Sequence, residues 1–405
     1  MIRHEAALAQ IVSAAAARSA DVSDETVALS DALGRVSAAA LDSREDIPPF
    51  DNCAMDGYAL AAAKAARAPA RLPVLGVVMA GDAPRCAVRT GGAWRVMTGA
   101  ALPAGCDAVV PVERARALDG GAAVEILDCV EPGDYVRARG RDFAAGARIC
   151  PSGTRLGARH LLALAAAGVA RVPVRRRPRV ALIATGRELV APGKDLGPGR
   201  VRDASSSYLA AAVSQLGADF EFHGIVADEP ARFGALFEKV AARGVDVLLT
   251  TGAVSMGDAD FIPAALDALG AEILFHKVAL RPGKPILFAR LENGPLIFGL
   301  PGNPVSTVVG LRFFVEPCLR ALLGRPAESP LRARLSADVT KPEGLRCFFK
   351  ARRLDDGRVE ILPGQASFQI HSLLSADCWA VLPEDGDALK ADAEIDAYPL
   401  AESPA

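Results

Sequence analysis

Three segments of the sequence combine glycine with oxygen-bearing side chains, in a pattern suited to binding an anion. They are ATGREL at 184–189, TTGAVSMGDADF at 250–261 and GLPGNPVS at 299–306. Backbone N–H groups of such loops, with a helix beginning behind them, can cradle a phosphate. One such loop alone would be an ordinary turn, but three at one sheet edge indicate a ligand site. The candidate binding residues are Thr185, Gly186, Gly252, Ser255, Gly302 and Asn303.

Charged side chains of both signs stand near these loops. Lys277, Arg281 and Lys284 surround the Pro-Gly step of VALRPGKP, where they form either a solvated hairpin or a cluster that binds an oxyanion. Mg²⁺ prefers one or two carboxylates together with substrate phosphates. A phosphorylated ligand with a metal would therefore suit this combination of charges. The carboxylates that could hold the metal are Glu188, Asp228, Asp258 and Asp260.

Several other chemistries lack their sequence patterns. The chain has no GxGxxG after a strand, no Walker A loop, no GxSxG nucleophile elbow and no HExxH zinc motif. Its five histidines are scattered, and we interpret His276, beside Lys277, as structural. The eight cysteines form no CxxC pair, which is typical of a protein of the reducing cytoplasm.

Charge and hydropathy argue against two classes of partner. The formal net charge is −2, and the basic run RRRPR at 175–179 is short enough to be a solvated linker, so we expect no nucleic acid. No stretch of about 18 apolar residues is present, so we expect no membrane span. The N-terminal segment carries Glu5 where a signal peptide would be basic, and its apolar spacing predicts an amphipathic helix.

The three loops require a sheet that brings strand ends together. From Pro178 onward, apolar strands alternate with amphipathic helices, which predicts βαβ units and a doubly wound α/β sheet. Ligands bind at the carboxyl ends of the strands in such sheets. The loops of interest therefore follow Ala184, Ala227, Leu249 and Gly299.

The regions on either side of this sheet are predicted to be rich in β-structure. Residues 72–149 form many short apolar runs broken by Gly, Pro and Asp, and another β pattern begins near Ser329. The predicted parts are an N-terminal module at 1–175 with a β-rich insertion at about 46–145, an α/β domain at 176–327 and a small C-terminal β domain at 328–405.

Six motifs together closely resemble the molybdopterin molybdenumtransferase family, which includes MoeA and the gephyrin E domain. They are PPFDNCAMDGYAL, RVMTGAALPAGCDAVVPVE, TGREL, TTGAVSMGDADF, KVALRPGKP and GLPGNPVS, and the resemblance covers residues from about 5 to 400. It implies a MogA-like α/β domain, similar to the pterin adenylyltransferase fold, with a β-rich insertion before it and a C-terminal β-barrel after it. It also implies an elongated homodimer, whose active cleft lies between the α/β domain of one subunit and the N-terminal module of the other.

The resemblance also implies a reaction. Molybdenum from molybdate would be inserted into the dithiolene of adenylylated molybdopterin, and hydrolysis would release AMP and the molybdenum cofactor. Molybdate and adenylylated molybdopterin would be the substrates, and Mg²⁺ would be required. The protein would be cytoplasmic, with transient contacts to proteins that supply molybdopterin and to apo-molybdoenzymes.

The family's site positions can be carried over residue by residue. The catalytic positions are Asp56, Thr98, Glu188, Asp228, Asp260, Lys277 and Arg281. In this list the first two residues belong to the N-terminal module, the three carboxylates that follow would serve metal, nucleotide or molybdate, and the last two residues form a cationic pair. The additional substrate-binding positions are Pro301, Pro304, Lys350 and Ser367.

Four residues depart from the family pattern. Ala253 stands where a second glycine is usual, so the loop must place a Cβ in a conformation that suits glycine. Arg187 replaces Asp or Ser, Ser205 replaces Asn, and Lys350 replaces Arg, which loses a bidentate contact. None of these removes a core ligand, so activity is expected.

Two alternatives belong to different functional classes. A scaffold of the gephyrin type would use a long linker and an additional domain, which this sequence does not carry. A pterin adenylyltransferase shares the α/β domain but would not need the flanking parts. Consumption of ATP with the bare pterin would identify the adenylyltransferase.

Overall fold

The computed structural model describes residues 1–82, 91–254 and 261–400. Its N-terminal part contains two helices and a series of short strands. In chain order these are α1 (His4–Arg18), β1 (Asp24–Ala28), β2 (Leu41–Asp42), β3 (Asn52–Cys53), β4 (Gly57–Leu60), β5 (Ala70–Val78), β6 (Ala93–Val96), β7 (Ala108–Pro111), β8 (Ala115–Leu118), β9 (Ala123–Ile126), β10 (Val136–Arg137), β11 (Arg148–Cys150), α2 (Ala158–Ala166) and β12 (Arg171–Arg175). Short 3₁₀ turns lie at Ser19–Asp21, Leu29–Asp31, Ala62–Ala65, Val112–Arg114 and Asp119–Gly121.

The β-rich insertion is organised by a six-stranded sheet in the order β7-β4-β6-β5-β9-β8. Strands β4 and β6 pair antiparallel, with Gly57 opposite Val96. Asp56 precedes β4 and Thr98 follows β6, so this register brings the two polar residues together. Glycine is required at position 57, because a Cβ there would lie 2.0 Å from the carbonyl oxygen of Val110 on β7. The Asp-Gly step is therefore fixed by the packing of three strands.

The central part is the predicted α/β domain. Its elements are β13 (Arg179–Thr185), β14 (Leu189–Val190), β15 (Val201–Arg202), α3 (Ala204–Gln215), β16 (Asp219–Val226), α4 (Pro230–Ala241), β17 (Val247–Thr251), α5 (Ile262–Ala268), β18 (Glu272–His276), β19 (Leu280–Arg281), β20 (Leu287–Arg290), β21 (Leu296–Leu300), α6 (Pro304–Gly310) and α7 (Glu316–Leu322). A π-helical segment, Leu311–Val315, joins α6 to α7.

The sheet of this domain has the order β16-β13-β17-β21-β20-β18. The first four strands are parallel, and β20 pairs antiparallel with both β21 and β18. Alternate side chains of the strands face opposite helical layers. Val180 and Leu182 share a core with Leu209 of α3, whereas Ile183 packs with Phe233 of α4 and Ile262 of α5. The doubly wound fold is thereby confirmed, with an antiparallel edge that the sequence pattern did not predict.

Helix α1 packs with the α/β domain, although it precedes that domain by about 160 residues in the chain. Its buried residues Ala7, Ile11 and Ala15 belong to the same core as α3 and α7. Just ahead of the helix, the Ile2 N–H donates to the carbonyl oxygen of Lys277, and the Ile2 carbonyl accepts from Ala279. The N-terminal segment thus holds the backbone of the cationic loop.

The C-terminal part is a closed barrel. Its strands are β22 (Leu331–Leu335), β23 (Val339–Thr340), β24 (Arg346–Arg353), β25 (Arg358–Ile361), β26 (Cys378–Leu382), β27 (Ala388–Leu389) and β28 (Glu394–Pro399), and a 3₁₀ turn lies at His371–Leu374. The circuit β24-β25-β22-β28-β26 returns to β24, which confirms the predicted barrel. Strand β19 pairs with β24, so Arg281 lies where the barrel meets the α/β domain. Across the described parts of the chain, every helix is too short or too polar to cross a membrane.

Candidate active site

A cavity of about 590 Å³ opens at the carboxyl ends of the parallel strands, where the sequence predicts ligand binding. It is formed by the loops after β13, β17 and β21 together with the start of α3. The predicted residues that line it are Thr185, Glu188, Gly252, Pro301, Gly302, Asn303 and Pro304. The structure thus brings residues from three separate sequence motifs to one place.

The floor of the cavity depends on close contact between two strand-end loops. The Thr185 hydroxyl donates to the carbonyl oxygen of Thr251 at 2.8 Å. Gly252 has φ +85°, and a Cβ at this position would lie 2.6 Å from the carbonyl oxygen of Thr185. Glycine is therefore needed here for both its conformation and its size. Thr251 also lines the cavity, and its buried hydroxyl has no hydrogen-bond partner among the residues that the structure describes.

The carboxylates come from neighbouring strand ends. Glu188 is exposed, and its carboxylate lies over Gly186, since a Cβ on that glycine would be 2.8 Å from both carboxylate oxygens. Asp228 follows β16, and its Oδ2 lies 3.5 Å from the backbone nitrogen of Arg187. Ser255, Asp258 and Asp260, predicted for the same site, lie outside the described residues.

The cationic segment is a tight backbone turn. The Val278 N–H donates to the Lys284 carbonyl at 3.0 Å, and Pro285 lines the cavity. Lys277 has φ +73°, an uncommon conformation for a residue with a side chain, and its backbone hydrogen bonds with Ile2 and Ile286 hold it. Arg281 is exposed on β19. Neither of the two predicted cations is among the residues that line the cavity.

His276, at the end of β18 and just before the cationic segment, is hydrogen-bonded to the cavity wall. Its Nε2 atom donates to the carbonyl oxygen of Val254 at 2.7 Å. Because Val254 lies in the loop after β17, this bond connects the end of β18 to the cavity wall. The contact agrees with the structural interpretation of His276.

The expected anion site at the start of α6 has fewer free N–H donors than the sequence indicated. Pro304, the first helical residue, has no N–H group. The next N–H, of Val305, donates to the carbonyl oxygen of Ser367 in the C-terminal barrel at 3.0 Å. Ser367 thus reaches the site through its backbone, and two of the donors that helix starts usually offer to an anion are not available.

Lys350 was predicted to bind substrate, but the structure places its ammonium group elsewhere. The side chain is buried on β24, and Nζ donates to the carbonyl oxygens of Gly364 and Gln369. Burial lowers the pKa of Lys350 from its ordinary value. Lys350 therefore supports the loop that carries Ser367 rather than lining the cavity.

Asp56 and Thr98, the two predicted positions of the N-terminal module, contact each other and do not line this cavity. Oδ1 of Asp56 accepts from both the backbone N–H and the hydroxyl of Thr98, each at 2.7 Å. These hydrogen bonds hold the pKa of Asp56 below its usual range. Both residues are exposed, so a charged carboxylate is presented on the surface of the insertion.

Sequence reasoning missed several residues of the cavity wall. Asp203 lies in the wall and caps α3 by accepting from the Ser206 N–H at 3.0 Å. A signal was available, because Asp203 stands just before a helical pattern at the same sheet edge. Phe368 follows Ser367, and nothing in its sequence context distinguishes it from an ordinary loop residue. The missed wall residues of most interest are Arg202, Asp203, Ser205 and Phe368.

Comparisons with known proteins cover nearly the whole chain. Family models match in order: the MoeA N-terminal region (domain I and II) at 2–168, the probable molybdopterin binding domain at 181–321 and the MoeA C-terminal region (domain IV) at 332–400. The molybdopterin molybdenumtransferase of Synechococcus elongatus is 40% identical over 385 residues, which is 93% of this chain and 94% of the relative. That of Bacillus subtilis is 36% identical over 371 residues, 89% and 86% of the two chains. A crystal structure of the molybdopterin biosynthesis MoeA protein from Pyrococcus horikosii is 30% identical and has a TM-score of 0.80, with 99% of each chain covered.

Proposed function

The chain belongs to the molybdopterin molybdenumtransferase family, enzymes of molybdenum cofactor biosynthesis, and from this membership we propose how its cavity works. The cavity takes adenylylated molybdopterin, molybdenum from molybdate enters the dithiolene, and hydrolysis releases AMP. The observation that carries the proposal is the convergence of Thr185, Gly252 and Gly302 on one cavity at the strand ends. A volume of about 590 Å³ lies in the range of small-molecule sites.

Binding of the phosphorylated substrate is assigned to the cavity floor. Gly252 carries no side chain to block approach to the backbone. The buried Thr251 hydroxyl has no hydrogen-bond partner among the described residues, so we assign it to the substrate. A buried polar group without a partner costs stability, which a bound phosphate oxygen would recover. These groups orient the substrate without forming a covalent bond to it.

Lys277 and Arg281 suit the negative charge of both substrates. Lys277 directly precedes the turn that leads to Pro285 in the cavity wall, and Arg281 lies within that turn. Lys offers a point charge, and Arg offers a planar fork that matches an oxyanion. We assign them to attracting molybdate and to stabilising charge that develops on the phosphate oxygens.

The acidic residues fit a divalent cation. Glu188 and Asp228 follow adjacent strands, and Mg²⁺ is usually held by one or two carboxylates plus substrate phosphates. Glu188, Asp228 and Asp260 would hold Mg²⁺, which would supply a positive charge to the phosphate oxygens. Glu188 lines the cavity, so a metal ion that it holds would lie where a substrate phosphate can also reach.

A second copy of the chain completes the site in this proposal. The exposed carboxylate of Asp56 is held by Thr98, and neither residue lines the cavity of its own chain. In an elongated homodimer, the pair from one subunit would face the cavity of the other. Sedimentation at micromolar concentration should give a dimer, and a monomer alone would contradict this arrangement.

We place the reaction in the cytoplasm, with transient contacts to proteins that supply molybdopterin and to apo-molybdoenzymes that receive the cofactor. The support is that each cysteine in the described ranges is a free thiol.

The test uses the purified full-length chain with adenylylated molybdopterin, molybdate and Mg²⁺. AMP release and reconstitution of an apo-molybdoenzyme should both require molybdate. Consumption of ATP with bare molybdopterin would instead identify an adenylyltransferase.

The metal assignment has its own test. Glu188→Gln and Asp228→Asn should raise the Mg²⁺ concentration needed for half-maximal AMP release. Glu229→Gln removes an exposed carboxylate next to Asp228 and should leave it unchanged. Calorimetry that finds Mg²⁺ and AMP binding unaltered in both site variants would count against these ligands.

A further inference from the structure

The ring of Phe368 is exposed at the wall of the cavity, although it belongs to the C-terminal barrel. Its exposed fraction is 68%, and it lines the same cavity as Thr185 and Gly252. Ligand cavities are lined mainly by apolar and aromatic side chains, so an exposed ring at this cavity is available to contact a ligand. The six family motifs do not include this residue, so the resemblance assigns it no role in the reaction.

The loop that carries the ring is held at both ends by hydrogen bonds. On the barrel side, Nζ of Lys350 donates to the Gln369 carbonyl at 2.8 Å, and Nε2 of Gln365 donates to the Lys350 carbonyl at 2.9 Å. On the cavity side, the Ser367 carbonyl accepts from Val305 at the start of α6. These bonds fix the backbone on both sides of Phe368. The ring is therefore presented at the cavity by a built structure and not by a loose segment.

We propose that Phe368 is a specificity-determining residue, whose ring takes a planar heteroaromatic part of the substrate by stacking. This inference rests on the proposed function, in which the substrate contains both an adenine and a pterin. Leu189 and Val201 also line the cavity, so it offers apolar surface as well as the polar groups of its floor. A phosphate on the floor and a flat ring against Phe368 would use both surfaces.

The same loop offers a matched control. Ile370 is 50% exposed and lies two residues from Phe368, but it lines the neighbouring apolar groove with Tyr208 and Leu374 and not the cavity itself. Truncation of Ile370 removes exposed apolar surface from the same loop without touching the proposed subsite. Phe368→Tyr keeps the ring and tests whether the aromatic face is what matters.

The experiment measures binding to the full-length chain by calorimetry, with AMP, ribose 5-phosphate and the simple pterin neopterin as probes. Phe368→Ala should weaken binding of AMP or of neopterin by roughly tenfold or more. Binding of ribose 5-phosphate, which lacks a base, should stay within about twofold, because it makes no stacking contact. Phe368→Tyr and Ile370→Ala should bind all three probes as the unsubstituted chain does.

The outcomes separate the alternatives. A loss confined to AMP supports stacking of adenine, and a loss confined to neopterin supports stacking of the pterin. An equal loss for ribose 5-phosphate would overturn the inference, since the ring would then only shape the loop. A smaller species in sedimentation of Phe368→Ala would also overturn it, because the ring would be a contact between copies. If the unsubstituted chain bound neither AMP nor neopterin, the proposed function would fail, and the inference with it.

Discussion

The cavity floor and the Asp56 turn both depend on a glycine that leaves no room for a Cβ, yet they present different kinds of group. At Gly252 the proposed binding surface is the backbone itself, together with the buried Thr251 hydroxyl. At Gly57 the glycine lets strands pack, and the proposed functional group is the exposed carboxylate of Asp56 next to it. Stability and binding should therefore be coupled in the first region and separable in the second.

The largest effect is expected from Gly252→Ala. The new Cβ meets the Thr185 carbonyl at 2.6 Å in a left-handed conformation, so we expect a loss of about 3 kcal/mol in the free energy of unfolding. Gly244 has φ +70° with open space within 4 Å of the position that a Cβ would take, so Gly244→Ala should cost only about 1 kcal/mol. Urea denaturation measures both. Equal costs would mean that the loop contact at Thr185 is not tight.

In the second region we expect the opposite pattern from Asp56→Asn. In the proposed dimer this variant removes a charge from the partner's cavity, so AMP release should fall by about a hundredfold. The free energy of unfolding should change by less than about 0.5 kcal/mol, because the side-chain oxygen of Asn can still accept both hydrogen bonds from Thr98.

Asp51 provides the control for this variant. It is an exposed aspartate of the same motif, and it accepts from the Arg139 N–H at 2.7 Å. Asp51→Asn should leave the turnover rate nearly unchanged. Full activity in Asp56→Asn would remove this carboxylate from the active site and, with it, the contrast between the two regions.

These regions also differ in how far the sequence could predict them. The alternation of apolar strands and helices was enough to place Thr185, Gly252 and Gly302 at one sheet edge, because parallel strands all end on the same side. The meeting of Asp56 with Thr98 depends on the register of β4 and β6, which no local pattern specifies. The resemblance to a family gave both residues as site positions but did not predict that they contact each other.

The remaining features could not be predicted from the sequence, for reasons that the structure makes clear. Strand β20 runs antiparallel to both of its neighbours, β18 and β21, and no helix separates it from either of them in the chain, so it breaks the βαβ alternation. The side chain of Lys350 turns to backbone carbonyls, a choice set by three-dimensional packing and not by residue type. Phe368 lies in a loop of another domain, and only the tertiary contact of Ser367 with Val305 brings it to the cavity.

A smaller effect, on charge alone, is expected from Thr98→Val. The hydroxyl of Thr98 is the largest cause of the lowered pKa of Asp56, followed by its backbone N–H. Removal of the hydroxyl should raise that pKa toward the ordinary value of about 4, whereas Thr98→Ser should keep it low. NMR titration of the Asp56 carboxyl carbon measures the difference.

The sign of the pH dependence follows from the direction of this shift. A lowered pKa means that the Asp56–Thr98 contact contributes its stability above the ordinary carboxyl pKa. That contribution is lost as the pH falls through the lowered value. The same titration curve in the Val and Ser variants would show that the hydroxyl does not set the charge of Asp56.

The smallest effect, and one that stays within the cavity region, is expected from Ala253→Gly. Ala253 has φ +52°, which glycine adopts at little cost, so the substitution should raise the free energy of unfolding by up to about 1 kcal/mol. Ala61 has φ −76°, and Ala61→Gly should instead lower stability by a similar amount, because glycine gives the unfolded chain more freedom. If both variants lose stability, the loop after β17 holds Ala253 without strain. If Ala253→Gly gains stability and releases AMP as before, backbone strain in the cavity region can be relieved without loss of function. Stability and function would then be coupled only at the close contact of Gly252.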